Sequence, residues 1–195
     1  MNARRISVLR TAGIFLVAAT LAGLARAGVT IHYEGTATSG ESVAKILAAV
    51  TAYAKEHKWK VDDGSALNGK LERQDGDKTK DYHGKVTGVI VQVNDDCEPL
   101  AFQFDTNLFL QDEVKTQFAG AAVHIQIVEL LETLKPFFKE LTVEDEGGYW
   151  DDHDKAALES RIDGIGIQID EQKRKHPEIQ TAYRMRNGRI ADVAK

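Results

Sequence analysis

Val86-Thr87-Gly88-Val89-Ile90-Val91-Gln92-Val93 is the stretch on which the fold turns. Its β-branched residues read as a strand. Asn94-Asp95-Asp96 turns the chain, Pro99 limits the ladder, and Leu100 to Phe104 reads as the antiparallel partner. An antiparallel pair in mid-chain, with helical patterns on either side, predicts an α+β domain.

Working back toward the start, Val29-Thr30-Ile31-His32-Tyr33 alternates with period two and reads as a first strand. Thr38-Ser39-Gly40 then leads into a helix of about sixteen residues, whose apolar face is Val43, Ile46, Leu47, Val50, Tyr53 and Ala54. Trp59 and Val61 begin a second extended stretch that Asp62-Asp63-Gly64 stops. Ser65 to Gly84 is polar, with a short strand near Leu67 to Arg73. Toward the C-terminus, Phe118 to Leu134 reads as a helix that is apolar around most of its circumference and therefore buried; Pro136 ends it. Leu141-Thr142-Val143 is a last short strand, and Asp151 to about Lys173 a final helix. Within that helix Ile165, Ile167 and Ile169 also alternate like a strand, and Gly164 and Gly166 each cost about 1 kcal/mol in a helix interior. The element order predicts a ferredoxin-like antiparallel sheet with helices packed on one face, plus an added C-terminal helix. Such a fold licenses no activity by itself.

The first 27 residues read as a cleavable export signal. Arg4, Arg5 and Arg10 precede an apolar run from Ala12 to Leu24, and Ala25 and Ala27 are the small residues of a cleavage site. That run is too short to span a bilayer as a helix, which takes roughly 20 residues. The mature chain is expected to begin at Gly28 and to work in the periplasm or outside the cell. Losing four arginines and no acid moves the net charge from −5 to −9. Cys97 is the only cysteine, so an intrachain disulfide is excluded and burial is the expected state of the thiol.

The densest polar stretch is Glu144-Asp145-Glu146-Gly147-Gly148-Tyr149-Trp150-Asp151-Asp152-His153-Asp154. Carboxylates with a histidine suit a divalent cation, but strand alternation turns Asp145 to the side of Leu141 and Val143, away from Glu144 and Glu146. Asp151, Asp152 and Asp154 fit a helix N-terminus, where they cap and complement the dipole. Tyr149 and Trp150 follow a Gly-Gly hinge and are either partner anchors or the plug of a core corner. His124 lies on the apolar helix as a candidate base or as a core residue donating to a backbone carbonyl. Lys115 precedes that helix, where an anion can be held. There is no nucleophile elbow, P-loop, dinucleotide fingerprint or HExxH spacing. The candidate binding residues are therefore Glu144, Glu146, Tyr149, Trp150, His124 and Lys115, with no catalytic residue, metal ligand or cofactor assigned.

Residues 28–172 form the expected domain, strongly acidic, and 173–195 a basic tail carrying Lys173, Arg174, Lys175, Arg184, Arg186, Arg189 and Lys195 against Glu178 and Asp192. The tail suits docking onto the acidic body, an anionic membrane surface or an acidic partner, or stays solvated. An acidic exported chain is a poor nucleic-acid ligand.

The Glu144–Trp150 run, Lys115-Thr116-Gln117-Phe118-Ala119-Gly120 and Asp96-Cys97-Glu98-Pro99-Leu100 together resemble a family of small bacterial proteins of unassigned activity, over residues 85–172. The resemblance implies one domain and brings no catalytic residues. The leading expectation is an exported, non-catalytic protein that binds another protein of the cell envelope. The alternative is a metal-assisted hydrolase using the 144–154 carboxylates with His124 or His153.

Overall fold

The computed structural model describes residues 28–76 and 78–194, so the export segment lies outside the described residues. Strand β1 (Thr30–Ala37) lies between β8 (Phe109–Lys115) and β9 (Phe138–Asp145), antiparallel to both. Its alternation sorts the residues as the sequence predicts: Ile31 and Tyr33 are buried, while His32 and Glu34 face the other side half-exposed. At Gly35 a Cβ would sit 2.5 Å from the carbonyl oxygen of Glu140, so only glycine lets β9 approach there.

A second sheet is built on the long strand β6 (Tyr82–Gln92). β2 (Lys60–Asp63) and β3 (Ala66–Leu71) follow one another along one edge, and β7 (Leu100–Phe104) runs antiparallel along the other. Short strands β4 (Gln74–Asp75) and β5 (Lys78–Thr79) pair with each other. The two sheets meet where β7 turns into β8. Asp105 N–H donates to the Phe109 carbonyl at 3.0 Å, and beyond it the strands diverge with no ladder between them among the described residues. Side chains satisfy the backbone there instead. The Tyr33 hydroxyl donates to the Ala101 carbonyl at 2.9 Å and accepts from its N–H at 3.2 Å. The Arg73 guanidinium donates to the carbonyls of Gln111 (2.7 Å), Phe109 (3.4 Å) and Gln103 (3.5 Å). Buried backbone groups demand such partners.

Helix α1 (Gly40–Glu56) starts where Ser39 Oγ accepts the Ser42 N–H at 3.1 Å, and buries Val43, Ile46, Val50 and Ala54. Helix α2 (Ala121–Leu134) buries His124, Ile127, Val128, Leu130, Leu131 and Leu134, the apolar five of them in the same core. Leu131 is fully buried. Leu131→Ala is expected to cost about 2–5 kcal/mol through the cavity it leaves; a denaturant melt losing under about 1 kcal/mol would show that α2 does not anchor the core.

The α+β class and antiparallel pairing match the expectation. The ferredoxin-like arrangement does not: its central strands run parallel, whereas β1 has antiparallel neighbours on both sides. Strand β8 is an element that the sequence pattern does not announce. After the single helical turn α3 (Tyr149–Asp152), helix α4 (Lys155–Lys175) continues past the expected 172/173 boundary. The chain beyond it forms a hairpin of β10 (Gln180–Arg184) and β11 (Ile190–Ala194).

That hairpin docks on the acidic body through polar contacts, most of them partly or fully buried. Arg189 donates to Glu98 Oε2 (3.2 Å), Asp112 Oδ1 (2.5 Å) and the Glu113 carbonyl. Ile190 N–H reaches Glu98 Oε1 at 2.6 Å, and Arg184 donates to the carbonyls of Asp95 and Cys97. The Cys97 thiol is buried, which pushes its pKa up to about 12 and makes it inert.

Candidate functional site

Pairing register places the outward residues of β1, β8 and β9 side by side. His32 stands opposite Glu113 on one neighbour and Glu144 on the other; Glu34 stands opposite Gln111 and Thr142. With Glu72, Gln74, Asp112 and Arg189 they line a groove of about 330 Å³. Its charge is negative even with His32 protonated, because five carboxylates face one guanidinium and one imidazole. No two carboxylates stand directly opposite each other, but Glu34 lies diagonal to both Glu113 and Glu144, so the groove gathers negative charge that a bound cation would offset.

Part of that charge is already met. His32 Nδ1 lies 3.0 Å from Glu113 Oε2. This hydrogen bond raises the His32 pKa despite partial burial, with further help from the charges of Glu113, Glu146 and Glu144. Stability from the pair is therefore complete below the ordinary histidine value and is lost as pH rises through the raised one. The same bond from His32 holds the Glu113 carboxyl below its usual range, against burial. Gln111 Nε2 donates to Glu34 Oε2 at 2.6 Å. Asp112 is pushed up by burial and only partly brought back by Arg189. Glu144 is exposed and has no ion-pair partner among the described residues.

Beneath this sheet lies a closed polar network. His124 Nε2 is 3.0 Å from Asp145 Oδ2, and Nδ1 is 2.8 Å from Thr116 Oγ1. Asp145 also accepts the N–H groups of Gly147 (2.6 Å) and Trp150 (3.0 Å). Burial raises the Asp145 pKa, but the hydrogen bond and charge of His124 and the two N–H donors outweigh it, and the net shift is downward. A Cβ on Gly147 would come within 2.8 Å of His124 Cε1, so glycine is required for the loop to close over the ring. Hydroxyl, imidazole and carboxylate in this order have the spacing of a nucleophile, base and orienting group. All three side chains are buried, however, and Thr116 Oγ1 also contacts the Val29 carbonyl at 3.2 Å. None of them lines the groove. The arrangement is structural: it ties the 116–120 loop, α2 and the end of β9 together.

The six residues singled out from the sequence do not share a surface. Glu144 alone lines the groove. Glu146 Oε2 accepts the Thr30 N–H at 2.9 Å at the far end of β1. His124 bonds side chains and not a carbonyl, contrary to the expectation for a core histidine, because Thr116 and Asp145 flank both ring nitrogens. Tyr149 and Trp150 are half-buried at the strand-to-helix corner, with Lys135 Nζ 4.1 Å from the Trp150 ring centroid. Lys115 is turned to Asp192 Oδ1 and the Ile190 carbonyl, both at 3.1 Å, and so holds the hairpin in place of an anion. Asp154 caps α4, its Oδ1 accepting the Ala157 N–H at 3.0 Å. Among the described residues no three His, Cys, Asp or Glu side chains are grouped so as to hold a metal ion.

Sequence reasoning missed His32, Glu34 and Glu113, and had Arg189 only as one cation of the basic tail. The alternation of β1 puts His32 and Glu34 on one face; their neighbours on β8 stay hidden because that segment carries no clear strand period. No protein-family model matches the chain, and no curated protein or solved structure matches it significantly.

Proposed function

We propose that this is an exported, non-catalytic binding protein that holds a basic segment of another protein of the cell envelope in the groove of β1, β8 and β9. The observation that carries this is the gathering of Glu34, Glu113 and Glu144 on one sheet face around His32, with Glu72 from the segment between β3 and β4 bordering the same groove. A groove of that size takes a few side chains, and a lysine or arginine there replaces carboxylate repulsion with charge-assisted hydrogen bonds. Export rests on the layout of residues 1–27. Electrostatic recognition of this kind favours fast, salt-sensitive association.

Titration calorimetry with a short lysine- and arginine-rich peptide at low ionic strength tests the reading, with a glutamate-rich peptide as control. Binding of the basic peptide alone is expected, weakening as salt screens the groove. Replacing Glu34 and Glu144 together by glutamine is expected to weaken it about tenfold, as two partly exposed ion pairs of up to about 1 kcal/mol each would. Binding is also expected to weaken as His32 takes up a proton among Glu113, Glu144 and Glu146. Equal affinity for the two peptides, or no binding at low salt, rules the groove out.

A further inference from the structure

Gly28 borders a cleft of about 420 Å³ that Glu146, Arg161 and Gln168 also line. The two residues after it are held at every backbone polar group. Val29 N–H donates to Gln117 Oε1 (2.8 Å), and its carbonyl accepts from Thr116 N–H (3.0 Å) and Oγ1 (3.2 Å). Thr30 N–H donates to Glu146 Oε2 (2.9 Å), and its carbonyl accepts the Glu146 N–H (3.0 Å). Gly28 is thereby set against the Glu146 carboxylate: a Cβ on it would lie 3.5 Å from Oε2 and 3.2 Å from Gln117 Oε1. Among the described residues no lysine, arginine or histidine pairs with that carboxylate. Arg161, which lines the same cleft, gives its guanidinium to the Glu146 carbonyl oxygen instead.

A carboxylate without a counter-ion thus stands beside the residue that export processing would make the chain's first. We infer that the α-ammonium group freed at Gly28 is the counter-ion of Glu146, so that maturation itself locks the N-terminus onto the body. The inference rests on the export reading. Hydrolysis of the Ala27–Gly28 bond leaves a carboxylate on Ala27 and an amine on Gly28, which takes up a proton below its ordinary pKa of about 8. Before cleavage the same nitrogen is an uncharged amide. The new ion pair would brace Val29, whose carbonyl rests on Thr116 of the buried histidine network.

The test uses the chain beginning at Gly28, with its amine free or acetylated, as wild type and as Glu146→Gln. Acetylation is expected to lower the melting midpoint of the wild type by about 2–4 °C, the shift of a contact worth about 1 kcal/mol in a chain of this size, and to have little effect on Glu146→Gln. Equal shifts in both backgrounds overturn the pairing. Should Glu146→Gln fail to fold, titration of the Gly28 amine by NMR in the wild type decides: a pKa raised above the ordinary value supports the pair, and an ordinary one overturns it. Intact mass of the protein from the envelope fraction separates the two layers. Retention of residues 1–27 overturns export and maturation together, whereas a failed amine coupling in a correctly cleaved protein overturns this inference alone.

Discussion

Arg189→Ala is expected to destabilise the fold by about 3–5 kcal/mol and to release the C-terminal hairpin, because removing one partner of a buried charge pair leaves the other charge uncompensated. Two acids depend on this guanidinium. The side chains of Glu98 and Asp112 are only 4% and 18% exposed. Burial already raises the Asp112 pKa with Arg189 present, and loss of the guanidinium removes the charge and hydrogen bond that hold it down. Arg189→Lys should recover only part of the loss, since an ammonium cannot serve Glu98, Asp112 and the Glu113 carbonyl with the planar geometry that the guanidinium provides. Urea melts measure the free energy, and hydrogen exchange over 180–194 reports the hairpin. The low exposure also sets how the opposite charges of body and tail respond to salt. Long-range attraction would fade at about 1 M salt, where the Debye length is roughly 3 Å, but these contacts are short and shielded. Deletion of the hairpin should therefore remain destabilising at high salt, and a loss that vanished there would show docking by diffuse attraction alone.

Asp145→Ala is expected to cost about 3–5 kcal/mol. The substitution strands the N–H groups of Gly147 and Trp150 together with His124 Nε2, and a buried polar group left without a partner costs about 1–3 kcal/mol. Asp145→Asn should cost less but still register. A carboxamide has one acceptor oxygen, so either the Gly147 side or the Trp150 and His124 side must face its NH2 group. The pH dependence has a definite sign. The folded pKa of Asp145 is lowered, so its contribution is complete above the unfolded value of about 3.9 and is lost as pH falls through the folded value. The wild type should lose stability steeply in that acid range and Asp145→Ala should lose less. Parallel acid profiles for the two proteins would show that another group governs acid unfolding.

Much of the fold was legible because local pattern and tertiary role agreed. The β-branched run of β6, the alternation in β1 and the apolar faces of α1 and α2 all serve the core that their spacing announced. The capping role of Asp154 was equally local. Strand β8 was lost for the opposite reason. Its inward positions are Leu110, Asp112 and Val114, and a charge in the middle of an apolar alternation breaks the period. That charge is met by Arg189, 77 residues further along the chain, and by the Glu113 N–H.

The groove was hidden with β8. Glu144 belongs to an acidic stretch in sequence, but its direct cross-strand neighbour is His32, with Glu113 on the far side of that histidine lining the same groove. His124 and Asp145 were each singled out separately, and the bond between them depends on where α2 lands against β9.

The amino-acid sequence by itself determined the α+β class, the helix and strand faces that form the core, and the strong negative charge of the body, because each is set by the order of side chains along the chain, the faces by spacings of 2 or 3.6 residues. Tertiary structure alone decided which charges meet. Register placed three glutamate-bearing strands around His32, and the docked hairpin brought Arg189 to two buried acids. Coulomb energy and hydrogen bonding depend on distance and burial in space, and neither quantity is written in the local period of a sequence.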